Sequence, residues 1–144
     1  MCGIVGFAGK EPAAKFLLEG LSKLEYRGYD SAGIATLSEG GFTVEKSTER
    51  IESLKADTAD GAKLNGNIGI GHTRWATHGA PSIPNAHPHL SADGNFAVVH
   101  NGIIENYSEI KAELESEGFK FVSQTDTEVI PMLLQKYYKG DLMQ

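Results

Sequence analysis

Cys2 is the only cysteine in 144 residues and stands directly behind Met1. If Met1 is trimmed, as happens when a small residue follows, one residue carries both a nucleophilic sulfur and a free α-amine. A thiol with an ordinary pKa of about 8.5 needs a base to reach its thiolate, and an α-amine at about 7.7–8.0 titrates near working pH. Nucleophile and base then come as one unit. The competing reading of a lone cysteine is a small buried hydrophobe with no chemistry. A nucleophile further needs donors where an oxyanion will form, and Asn101-Gly102 can offer a carboxamide and a backbone N–H just after a strand-like run. The same dipeptide is a hairpin-turn signal. Arg74 can grip a carboxylate by two parallel hydrogen bonds and Asp126 can pair with an ammonium group, so together they would select an α-amino acid. Each alone is more often a surface or capping residue.

Five histidines, His72, His78, His87, His89 and His100, raise the question of a metal. Their spacings match no common zinc pattern and one cysteine is a thin supply of soft ligand, so neither metal nor cofactor is expected. Gly69 and Gly71 have neither dinucleotide-fingerprint nor P-loop spacing, and a proline-rich loop follows them instead of a helix. They are expected to allow close backbone approach within a sheet.

The elements that must position these residues follow from hydrophobic period and punctuation. Gly3 to Phe7 reads as a strand that would hold the terminus rigidly. Pro12 suits an early helical position, and Phe16, Leu17, Leu21 and Leu24 predict a helix over 12–25. After the dense turn Tyr26 to Gly33, Ile34–Leu37 and Phe42–Lys46 predict a hairpin about Gly40-Gly41. Residues 51–62 suggest a polar surface helix, and 67–75 a buried strand. Residues 76–89, holding three prolines and three histidines, form a connection long enough to be a lid. Asn95–His100 predicts a strand, Ser108 caps a helix through Glu117, and Phe119–Val122 predicts another strand. Thr125 and Glu128 have capping-box spacing ahead of a helix, although Pro131 is late for that cap and implies a later start or a kink. Short turns between neighbouring strands argue for antiparallel sheets with helices outside.

Composition is that of one globular domain, 40% hydrophobic and 22% charged, with no repeat, linker or low-complexity segment. A net charge of -6 without a basic cluster argues against nucleic acid and anionic lipid as partners. One cysteine allows no internal disulfide, and neither a secretory signal nor a membrane-length apolar run is present, which together suggest a cytoplasmic setting.

Five stretches taken in order, Cys2 to Gly6, Tyr26 to Gly33, His72 to Gly79, Val99 to Gly102 and Thr125 to Glu128, resemble the glutaminase domain of class II glutamine amidotransferases. The likeness runs from Cys2 to about Tyr138. Tyr29, Trp75 and the run Asn85 to His89 narrow it to the branch whose acceptor is fructose 6-phosphate. The resemblance implies an α+β fold of the N-terminal nucleophile type, a four-layer αββα sandwich with antiparallel sheets. It implies Cys2 as nucleophile with its own amine as base, and Asn101 and Gly102 as oxyanion donors. Arg74 and Thr77 would hold the glutamine carboxylate and Asp126 its ammonium, with Trp75 and His78 on a closing loop and Arg27 in support. Glutamine is the implied nitrogen donor, through a γ-glutamyl thioester, in a homo-oligomeric full-length enzyme.

Residues 1–144 are expected to be the N-terminal part of that glutaminase domain, with sugar-isomerase domains elsewhere and a sandwich incomplete at its C-terminal side. Fructose 6-phosphate would be bound only through those further domains. A chain that keeps Met1 has an amide in place of the amine and is expected to be inactive. Two alternatives stand beside this reading: a related amidotransferase with another acceptor, and a catalytically silent fragment.

Overall fold

The computed structural model describes residues 2–76 and 79–142, so Met1, Thr77, His78, Met143 and Gln144 fall outside it. Four antiparallel strands form the larger sheet: β1 (Gly3–Ala8), β2 (Ser31–Ser38), β3 (Gly41–Ser47) and β4 (Ile68–Arg74), in the order β1-β4-β2-β3. The expected β2–β3 hairpin forms but turns through Glu39-Gly40, one residue earlier than Gly40-Gly41, with Ser38 opposite Gly41 at the start of β3. Helix α1 (Ala13–Leu24) follows the expected 12–25 closely, with Pro12 at its N-cap. Its apolar face buries Leu17, Leu18 and Leu21 together with Ile34, and Val5 and Phe7 pack onto the cluster. Truncating any one of these leucines to alanine costs about 2–5 kcal/mol.

Gly69 allows the expected close backbone approach within the sheet, since a Cβ there would lie 2.8 Å from the Ala35 carbonyl of β2, and both Gly69 and Gly71 also let the helix approach. A Cβ at Gly69 would lie 2.8 Å from Leu17 Cδ1 and at Gly71 3.0 Å from Leu21 Cδ1. With alternate residues of a strand on opposite faces, these glycines turn toward α1, and His72 and Arg74 therefore turn to the other face. Helix α2 is shorter than the expected 51–62, running Ile51–Asp57, and is not wholly polar, since Ile51 and Leu54 are buried in the core. Thr58 stops it by returning its hydroxyl to the Leu54 carbonyl at 2.7 Å, after which Ala59, Asp60 and Gly61 all take positive φ.

The second sheet is small. Strands β5 (His89–Leu90) and β6 (Ala97–Val98) form one short antiparallel pair, joined by a turn in which Asp93 accepts from Ser91 and Asn95. The expected strand over 95–100 is thus two residues long, because beyond it the His100 N–H donates to His87 Nδ1 at 3.4 Å instead of to a strand. Asn101-Gly102 is not the hairpin turn. Helix α3 runs Tyr107–Ser116 with Asn106 at its N-cap and no side-chain cap, so Ser108 lies inside the helix.

Phe119–Val122 is not a strand. The N–H groups of Val122 and Ser123 donate to the Glu128 carboxylate at 2.8 Å each, so that side chain takes the place of a ladder. The expected capping box fails for the same reason: Glu128 is turned back, and the Thr125 hydroxyl meets His89 Nε2 at 2.9 Å. Helix α4 (Val129–Tyr137) begins later, which puts Pro131 in its first turn, where no intrahelical acceptor is lost. Lys136 ties α4 to α3 through Glu113 and Glu117 at 2.7 Å each.

The order of packing is α1 and α2, the four-stranded sheet, the two-stranded sheet, then α3 and α4. The two sheets meet where a Cβ on Gly33 would overlap the His87 carbonyl and where the His72 ring stacks on His87 at 4.2 Å. Among the described residues no helix is long and apolar enough to cross a membrane.

Candidate active site

Strand pairing brings the chemistry together. Gly3 lies opposite Thr73 and Ser31 opposite Arg74, so Cys2 leaves the end of β1 beside the end of β4. There the Trp75 N–H donates to Cys2 Sγ at 3.1 Å, and the thiol lies 3.6 Å from the Trp75 carbonyl. Gly3 N–H donates to Thr73 Oγ1 at 3.2 Å, which fixes the residue after the thiol. Asp30 clamps the strand end from outside: its N–H donates to the Arg74 carbonyl at 3.1 Å and its carboxylate accepts from Ala76 N–H at 2.7 Å.

Cys2, Arg74, Trp75, Asn101, Gly102 and Asp126 line one cavity of about 350 Å³ with His72, His87, His100, Ile103, Thr125 and Thr127. Asn101 Nδ2 donates to the Cys2 carbonyl at 3.2 Å. Arg74 is buried, donates to the Gly79 carbonyl at 3.2 Å, and feels Cys2, Asp30 and Asp126 as its charge partners. Burial pulls its guanidinium below the ordinary value and those three groups oppose the shift. Asp126 is held from the other wall, its Oδ2 accepting from Ile104 N–H at 2.8 Å. A Cβ at Gly102 would lie 2.8 Å from the His100 ring, so a side chain there would crowd the cavity wall beside Asn101.

Trp75 is half exposed at the rim and meets Tyr29 edge-on at 5.8 Å, with Arg50 over the Tyr29 ring at 5.5 Å. Arg27 lies in the turn Glu25–Arg27 after α1 and does not line the cavity. Thr77 and His78 fall outside the described residues. The connection carrying them is anchored on its far side, where Asn85 donates to the Ala80 carbonyl and accepts from Gln124 N–H at 2.8 Å.

The histidines are what sequence reasoning missed. His72 Nε2 lies 2.7 Å from Asn101 Oδ1, His72 stacks on His87, and His87 meets His89 edge-on at 4.6 Å. All three are buried. Burial pushes His72 down to about 4 and His89 down to about 3, and drives His87 lower still, so the stack is neutral at working pH. Considering these residues only as metal ligands hid them, yet the i, i+2 spacing of His72 and Arg74 already placed both on one strand face. Among the described residues no group of three or more His, Cys, Asp or Glu is placed to hold a metal ion.

A larger cavity of about 750 Å³, lined in part by Lys46, Leu90, Lys120, Val122 and Met132, contains neither Cys2 nor Arg74. Size alone therefore does not select the candidate site; the convergence of a thiol, an amide, a cation and a carboxylate does.

Comparison with known proteins follows the same line. The family model described as the glutamine amidotransferase domain matches residues 34–142. The chain belongs to the glutamine amidotransferase domain family. This amidotransferase domain is 57% identical over its whole length to glutamine–fructose-6-phosphate aminotransferase (isomerizing) of Clostridium tetani. It is 54% identical to the protein of that name from Thermus thermophilus. In both it spans 24% of the relative's length. Among solved structures, glutamine phosphoribosylpyrophosphate amidotransferase of B. subtilis superposes with a TM-score of 0.81 at 29% identity, over 99% of this chain and 31% of that one. A structure described as the allosteric regulatory enzyme of purine biosynthesis gives 0.83 at 30% identity, over the same shares. The amidotransferase domain thus has the N-terminal nucleophile fold expected from its motifs, in α+β form.

Proposed function

We propose that this chain is the N-terminal part of the glutaminase half of an enzyme that transfers the glutamine amide nitrogen to fructose 6-phosphate. The observation that carries the reading is the single cavity on which Cys2, Arg74, Asn101 and Asp126 converge. Glutamine fits it by charge: Arg74 takes the α-carboxylate and Asp126 the α-ammonium, leaving the side-chain amide toward Cys2. Thr77 would add a hydroxyl to the carboxylate, while Trp75 and His78 close over the bound amino acid and Arg27 supports the surroundings of the nucleophile.

The chemistry follows from one residue. With Met1 removed, the Cys2 amine takes the thiol proton and the thiolate attacks the amide carbon. The resulting oxyanion is met by Asn101 Nδ2 and the Gly102 N–H. The C–N bond breaks, ammonia leaves with the proton returned by the amine, and a γ-glutamyl thioester remains on Cys2. Water activated by the same amine then releases glutamate and restores the thiol. The ammonia goes to fructose 6-phosphate, which further domains of a longer chain bind, giving glucosamine 6-phosphate in amino sugar synthesis. Support for that acceptor comes from the relatives at 54–57% identity, whose names carry it. A cytoplasmic homo-oligomer without membrane or nucleic-acid partners suits the single cysteine and the acidic surface.

The test uses the full-length enzyme: intact mass, then glutamine hydrolysis with and without a thiol-directed glutamine analogue. Loss of one methionine, stoichiometric labelling at Cys2 and no activity in Cys2→Ala are expected. Labelling elsewhere, or hydrolysis by protein that retains Met1, contradicts the assignment.

A further inference from the structure

We propose that His72 is a positioning residue that fixes the Asn101 carboxamide in the one orientation able to stabilise an oxyanion. The inference rests on the reading of Asn101 as oxyanion donor.

A carboxamide has two nearly isosteric ends, one a pure acceptor and the other a pure donor. Turned over, Asn101 would aim oxygen lone pairs at the developing negative charge, so the group stabilises or repels the intermediate according to a single rotation. In the structure Nδ2 faces Cys2, donating to its carbonyl at 3.2 Å, and Oδ1 faces His72 Nε2 at 2.7 Å. Oδ1 can only accept, so Nε2 carries the proton. The other ring nitrogen agrees. His72 Nδ1 is buried and makes no hydrogen bond of standard geometry among the described residues, which suits a bare nitrogen, and the His100 backbone is the ring's other polar neighbour, acting like Asn101 to raise its pKa. Moving the proton to Nδ1 would bury an unpaired donor and set two lone pairs against each other across 2.7 Å.

The ring that holds the amide is itself held. It lies almost parallel to His87, at 15° and 4.2 Å between centroids. His87 in turn accepts from the His100 N–H, and its carbonyl is packed against Gly33. Burial keeps His72 neutral, as the lowered pKa of about 4 expresses, so the ring can hold the amide without adding a charge beside Arg74. His72 acts on the reaction only through Asn101.

The test takes the full-length enzyme and four variants: His72→Phe, His72→Gln, Asn101→Ala, and His72→Phe with Asn101→Ala. Removing an oxyanion donor costs about 10²–10³ in rate, so mispointing it in His72→Phe should lower kcat for glutamine hydrolysis by about 10–100-fold. KM should stay within about threefold, because Arg74 and Asp126 are untouched. Glutamine at position 72 places an N–H near the former Nε2, and His72→Gln should recover about tenfold over His72→Phe. The double variant should be no slower than Asn101→Ala alone, since one interaction is lost only once. Additive losses in the double variant, or a loss in His72→Phe that Gln does not relieve, overturn the proposal. An Asn101→Ala variant with unchanged kcat instead removes the underlying reading of Asn101. One measurement needs no variant to fold: in enzyme labelled with 15N at histidine, His72 should show a protonated Nε2 and a bare Nδ1 at neutral pH. The opposite tautomer refutes the proposal.

Discussion

At the scale of single residues, the proposed division of the cavity into binding and chemistry can be tested part by part. Arg74 offers a planar fork and lysine does not, so Arg74→Lys should raise KM for glutamine by about 10–100-fold, equivalent to roughly 1.5–3 kcal/mol, with a much smaller change in kcat. Asp126→Asn keeps an oxygen for the Ile104 N–H and removes only the charge. Its KM should rise by a similar factor while the thermal midpoint moves little. Steady-state kinetics with melting curves decide both, and a pure kcat effect in either variant would mean that the residue does not anchor the substrate. Residue types made Cys2, Arg74, Asn101 and Asp126 legible in the sequence, since a nucleophile, a carboxylate-gripping cation, an amide donor and an ammonium-pairing carboxylate are the parts that chemistry on an α-amino acid would need. His72 was not legible by type, because a neutral histidine orienting an amide looks no different from a packed one.

Elements were legible where hydrogen bonds run from backbone to backbone. β1, α1, the β2–β3 hairpin and β4 lie close to where period and punctuation put them, because burial on one face writes a 2.0 or 3.6 repeat into the chain. Beyond Leu90 that correspondence weakens. Backbone N–H groups there turn to side chains: Asn95 to Asp93, His100 to His87, Ile104 to Asp126, and Val122 and Ser123 to Glu128. No periodicity announces such bonds. Glu128 carries the most, since it is buried and also accepts the Ser123 hydroxyl at 2.5 Å. Glu128→Ala strands three donors, and losing about 3 kcal/mol should speed hydrogen exchange over 119–130 by roughly 100-fold. Unchanged protection there would show that the loop is held by something else. Gly33→Ala is the matching test on the sheet. Its methyl would displace the His87 carbonyl, so glutamine hydrolysis should fall at least tenfold while the β2–β3 ladder keeps its exchange protection.

For the whole molecule, the neutral histidine stack sets the response to acid. His72, His87 and His89 have folded-state pKa values below the ordinary 6.5, so the unfolded chain binds their protons first. Their contribution is intact above about pH 6.5 and is lost as pH falls from there toward 4, at up to roughly 1 kcal/mol per pH unit for each ring. Urea unfolding between pH 7 and 5 should show that decline, and a flat profile would mean that the rings take up protons as readily in the fold as in the unfolded chain. Because the stack joins the two sheets, hydrogen exchange should report opening between the layers before α1 and its leucines let go.

The docking of Cys2 against the Trp75 backbone carries a practical consequence. Whatever is fused ahead of Cys2 makes its nitrogen an amide. A purification tag on that end would yield well-folded protein that fails to hydrolyse glutamine, and inactivity in such a preparation would report on the cloning strategy rather than on the enzyme. Handles for isolation or immobilisation belong at the opposite end of the chain.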